Sequence, residues 1–108
     1  MASNYKVLGQ INPSATTNTT LYTVPSLTSA VCSTLTICNL GISTTYRVAV
    51  RPAGEALANK HYIAYDASIP QNDTVLLTLG ITLANTDVVT VYAGTANLAF
   101  GLFGTELT

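Results

Sequence analysis

In AVCSTLTICN, residues 30–39, Val31, Leu35 and Ile37 alternate with Cys32, Thr34, Thr36 and Cys38. A period of two places successive side chains on opposite faces of an extended chain, the pattern of a half-buried β-strand. The residue types agree, because Val, Ile and Thr pack well on a pleated surface. The same period continues in both directions. Toward the N-terminus, Tyr5, Val7 and Ile11 alternate with Lys6, Leu8 and Gln10, and a short apolar stretch, 21–24, is stopped by Pro25. Toward the C-terminus, Tyr46, Val48 and Val50 alternate with Arg47, Ala49 and Arg51. His61, Ile63, Tyr65 and Ile69 oppose Tyr62, Ala64 and Asp66. Val75, Leu77 and Leu79 oppose Thr74, Leu76 and Thr78. Val89 and Val91 oppose Val88, Thr90 and Tyr92, and Leu98, Phe100 and Leu102 oppose Phe103.

Turn chemistry separates these runs: Asn12-Pro13-Ser14, Asn39-Leu40-Gly41, Pro52-Ala53-Gly54, Pro70-Gln71-Asn72-Asp73 and Ala93-Gly94-Thr95. Strands at this spacing predict an all-β fold, a two-layer antiparallel β-sandwich of about seven or eight strands. Its topology is immunoglobulin-like or jelly-roll. The Cys-Trp-Cys core of antibody domains is missing, since the chain has no Trp. One helical turn fits within residues 54–59. The 108 residues suit a single domain, 1–108, with the ends 1–4 and 105–108 expected to be mobile or to reach onto neighbours.

Composition bears on what the surface does. Hydrophobic residues reach 48%, enough to build a core, but charged residues only 8%, against roughly 25% in ordinary domains. Thr, Ser, Asn and Gln take their place, as in residues 14–20 and 42–45. A surface so poor in charge lacks the repulsion that keeps monomers apart, and interface cores are depleted in charge. Part of it is therefore expected to be covered by other subunits. With net charge −1 and only Lys6, Arg47, Arg51 and Lys60 basic, the chain lacks the cation cluster that a nucleic-acid groove or an anionic membrane requires. No secretory signal is visible in residues 1–10, so the protein is expected either to work where it is made or to leave the cell by a route that needs no signal. Cys32 and Cys38, six residues apart, are expected on one strand face about 20 Å apart, too far for a disulfide. Both are expected as free thiols.

Chemistry is hard to build from the remaining residues. His61 as a base, with Asp66 to orient it and Ser68 as nucleophile, fails on strand geometry, which puts His61 and Asp66 on opposite faces. Asp66, Asp73, Asp87 and Glu106 stand singly, with no metal-ligand cluster, so no catalysis, cofactor or metal is expected. Asn18 and Asn72 begin glycosylation sequons, read as chance matches in a Thr-rich chain. Arg47 and Arg51 share a strand face; they either fork onto carboxylates of a neighbouring subunit or pair internally with Glu55 or Asp66. Together with Tyr5 and Tyr62 they are the candidate subunit contacts. The six tyrosines suit a protein interface or a sugar-stacking platform.

Several segments in order, TLYTVPSLTSAVCSTLTICN, YRVAVRPAG, LANKHYIAYDASIPQNDT, LTLGITLANTDVVTVYA and LAFGLFGTEL, resemble a group of small structural proteins of tailed bacteriophages, particularly cyanophages. The resemblance runs from about Tyr5 to Leu107. It implies a virion component, made in the host cytoplasm and incorporated by contacts with its own copies and with other virion proteins, such as the major capsid protein or neck and tail proteins. A capsid decoration or cement protein is the leading expectation. A neck, tail, baseplate or fibre adaptor is the second, and a glycan-binding module displayed on the virion is an expectation of another class.

Overall fold

The computed structural model describes residues 2–108 and contains eight strands. They are β1 (Ser3–Ile11), β2 (Thr19–Thr23), β3 (Ser29–Asn39), β4 (Thr44–Arg51), β5 (Tyr62–Ile69), β6 (Thr74–Leu83), β7 (Val88–Ala93) and β8 (Leu98–Leu107). The strands form two four-stranded sheets, ordered β1-β8-β3-β6 and β2-β7-β4-β5. All strand pairings are antiparallel, and β1 pairs β8, β2 pairs β7, β3 pairs β6 and β4 pairs β5. That is a hairpin ribbon closed at β4–β5 and wound on itself. The winding adds the contacts β3–β8 and β4–β7. This order is a jelly roll, the second of the two expected topologies.

The inward faces bury Leu35, Ile37, Leu98, Phe100 and Leu102 from one sheet against Val48, Val89, Val91 and Ile69 from the other. One end of the sandwich is polar inside. There Tyr22 Oη donates to Glu106 Oε2 and Lys6 Nζ donates to Glu106 Oε1 at 3.3 Å. At the other end Asn39, 2% exposed, ties three segments together. Its Nδ2 donates to the carbonyls of Ile42 (2.8 Å) and Pro70 (3.0 Å), while its Oδ1 accepts from the Gly41 N–H at 3.0 Å.

Where the structure departs from the expected alternation, the cause is a β-bulge, one extra residue that shifts the side-chain phase. In β3, Cys32 faces Gly104 but Thr34 faces Phe103, so Ser33 is extra and the phase flips. Cys32 is therefore buried while Cys38 lies half-buried on the outer face, a correction to the expectation that they share one face. Both remain free thiols, and burial pushes that of Cys32 up to about 11. The expected helical turn at 54–59 is replaced by two 3₁₀ turns at its ends, Pro52–Gly54 and Asn59–His61. The termini are paired: the Ala2 N–H donates to the Thr108 carbonyl at 2.9 Å and the Thr108 N–H to the Ala2 carbonyl at 3.0 Å. Residues 105–107, expected to be mobile, continue β8, and β1 begins at Ser3; residue 1 lies outside the described residues.

Candidate functional site

The two outer faces of the sandwich differ in kind. On the β1-β8-β3-β6 sheet, strand register lines up outward rows across the strands: Tyr5–Thr105–Val31–Thr82, Val7–Phe103–Thr34–Thr78 and Gln10–Gly101–Thr36–Leu76. Among the described residues none on this face is Asp, Glu, Lys or Arg. Tyr5 is 83% exposed and Leu76 66%. A shallow depression of about 380 Å³ opens between Gln10, Asn12, Thr36, Cys38 and Gly101. A Cβ at Gly101 would come within 2.8 Å of Thr36 Oγ1 and 3.1 Å of the Phe103 ring, so those side chains would have to shift to accept one. Lys6 and Glu106, the charged residues of this sheet, pair with each other on its other face, Glu106 buried and Lys6 at the open edge with its side chain 41% exposed. The hydrogen bond from Tyr22, with Lys6 behind it, holds the Glu106 carboxyl below the usual carboxylate range despite burial. Burial first, and Glu106 second, push the Tyr22 phenol up.

The other seven charged residues, Arg47, Arg51, Glu55, Lys60, Asp66, Asp73 and Asp87, belong to β4, β5 and the connecting loops. The loop 52–61 lies against the outer β2-β7-β4-β5 face, where Ala49 and Thr90 are buried. Two side chains fasten that loop. Arg51 donates from Nε to Thr90 Oγ1 at 3.0 Å and from Nη1 to the Glu55 carbonyl at 3.0 Å. Asp87 accepts from the Ala53 N–H through Oδ1 and from the Ala84 N–H through Oδ2, each at 2.8 Å. His61 is buried at the loop's end; its Nδ1 accepts from the Ala58 N–H at 3.0 Å, and Nε2 sits 3.5 Å from Glu55 Oε1.

The same face carries an aromatic cluster. Arg47 donates to Asp66 from Nε at 2.7 Å, and its guanidinium lies 4.3 Å from the centre of the Tyr65 ring and 4.3 Å from that of Tyr92. The hydrogen bond to Asp66 holds Arg47 more firmly protonated. Tyr62 meets Tyr65 edge to face, with centroids 4.8 Å apart and planes at 82°. An open cleft of about 330 Å³ lies among Asn59, Tyr62 and Tyr65. No family model and no curated protein matches the chain.

The candidate residues thus fall in three places. Arg47 and Arg51 do share a face, but both are engaged within the chain, Arg47 with Asp66 and Arg51 with Thr90 and the loop carbonyls. Tyr5 lies on the uncharged face of the opposite sheet, and Tyr62 lines the cleft. His61 and Asp66 do not approach one another through hydrogen bond or ion pair; each has a different partner. Alternation alone assigns Tyr62 and Tyr65, three apart, to opposite faces. The register Ala49–Tyr62, Val48–Ala64, Tyr46–Ala67 shows two extra residues in β5, at Ile63 and at Tyr65–Asp66. The first brings Tyr62 and Tyr65 to one face. Asp66 takes a left-handed conformation, φ 50°, at the second.

Proposed function

We propose that the chain is a structural subunit of a bacteriophage particle and packs against a second copy of itself through the outer face of the β1-β8-β3-β6 sheet. The resemblance to small phage structural proteins supports the particle. The observation that carries the packing is the absence of charge from that face among the described residues, in a chain whose few charges gather on the other sheet. Four strands about 4.8 Å apart and about ten residues long present a projected area on the order of 600 Å². A standard interface removes about 800 Å² per partner, which the relief of the side chains brings within reach. A neutral surface of hydroxyls and apolar groups is complementary to itself without opposing charge, as a two-fold contact requires.

Decoration of the capsid surface is the favoured place, because repeated contacts of one face suit repetitive placement. The test is sedimentation of the purified chain over a concentration series, beside Thr34→Lys and Leu76→Lys. Concentration-dependent self-association is expected for the natural chain, and its loss is expected in both variants with strand structure retained. A natural chain that sediments as a monomer at the highest concentrations overturns the self-packing. An averaged cryo-microscopy map of the particle then counts copies: many copies on the capsid lattice support decoration, and a few at one vertex place the subunit at the neck or tail.

A further inference from the structure

The cleft among Asn59, Tyr62 and Tyr65 belongs to the sheet opposite the packing face, and its construction points to a small ligand. We propose that it is a binding site for a neutral sugar, a pyranose that lays its C–H face on a tyrosine ring while its hydroxyls meet the Asn59 amide and the phenol groups. The two rings stand at 82° with centroids 4.8 Å apart, so they form two walls of a corner, and both line the cleft. Arg47 lies 4.3 Å from the centre of the Tyr65 ring and 4.3 Å from that of Tyr92, which restricts the Tyr65 wall before anything binds. The corner exists because the bulge at Ile63 brings Tyr62 and Tyr65 to one face.

The chemistry narrows the ligand. Arg47 commits Nε and Nη2 to Asp66 at 2.7 and 3.4 Å, so the nearest cation is already neutralised and its fork is not free for a phosphate or carboxylate. The cleft's own lining is uncharged. About 330 Å³ lies at the low end of ligand-site volumes, roughly 300–1,000 Å³. An amphipathic small molecule with one apolar face and several hydroxyls matches two tyrosines and an amide. A purely apolar ligand leaves the phenol and amide groups without partners.

The test is a nuclear magnetic resonance titration of the ¹⁵N-labelled chain with four probes: methyl α-D-glucoside, methyl α-D-mannoside, methyl β-D-galactoside and N-acetylglucosamine. Saturable shifts confined to residues 59–66 and their neighbours Arg47 and Tyr92 are expected for at least one probe, with Kd of about 1 mM. Tyr65→Ala and Asn59→Ala are each expected to weaken binding at least tenfold, and Tyr65→Phe, which keeps the ring, by less. Asn59 is an exposed loop residue, so its variant keeps the test open if Tyr65→Ala fails to fold. No saturable shift with any probe overturns the proposal. So do shifts centred elsewhere, or affinity unchanged in both alanine variants. Shifts at this corner that appear only as protein concentration rises mark it as a contact between copies and equally overturn the sugar. The self-packing proposal is untouched by any of these results, since it rests on the other sheet.

Discussion

Asn39 and Glu106 are polar side chains buried at opposite ends of the sandwich, and each makes a sharp prediction. The Asn39 amide serves the carbonyls of Ile42 and Pro70 and the N–H of Gly41. Asn39→Ala leaves these groups short of partners in a site water reaches poorly, and a loss of about 2–3 kcal/mol is expected in urea unfolding. Glu106 titrates below its usual range in the folded chain, so its stabilisation is complete above the unfolded value of about 4.3 and declines as pH falls through the folded one. Glu106→Gln is expected to flatten the acid limb of a stability–pH profile below about pH 4.3. Tyr22 has the opposite sign: its shift is upward, so its contribution is intact below about pH 10 and lost as pH rises through the folded value. Tyr22→Phe is expected to remove that alkaline component. Sequence patterning named Glu106 only as an isolated acid, because its partners Lys6 and Tyr22 lie 100 and 84 residues away.

At the scale of the element, strands were legible and bulges were not. Period two located seven of the eight strands, since burial of one face imposes that period on composition, while β2 showed only as the apolar stretch 21–24. A bulge adds a single residue and leaves no such mark. Ser33 in β3 and Ile63 in β5 look like ordinary strand residues, yet they decide that Cys32 and Cys38 part company and that Tyr62 and Tyr65 meet. The site at Asn59, Tyr62 and Tyr65 was out of reach for that reason. The β3 bulge has a measurable support in β8. A Cβ at Gly104 would stand 2.0 Å from the Val31 carbonyl oxygen, and no side-chain motion relieves a clash with backbone. Gly104→Ala is expected to cost about 2–4 kcal/mol, read by thermal or urea unfolding. Gly80→Ala meets no neighbouring atom and strains only its φ of 63°, so a smaller loss is expected in the same assay.

For the whole molecule, the governing feature is the separation of charge between the sheets. The fraction of charge was readable from composition, but its segregation was not, because it depends on which strands share a sheet. The wound ribbon sends β4, β5 and their loops to one side and β1, β3, β6 and β8 to the other. High salt is therefore expected to leave self-association unchanged or strengthen it, as sedimentation in low and high salt would register, since no attraction between charges is there to be screened. The strand order also sets a schedule. β8 lies between β1 and β3, so the neutral sheet has a gap at its centre until residues 98–107 have left the ribosome. During synthesis, nascent copies on one messenger cannot stick to each other through a surface that does not yet exist. The same strand carries the core residues Leu98, Phe100 and Leu102, so this outer face and the core beneath it are completed together.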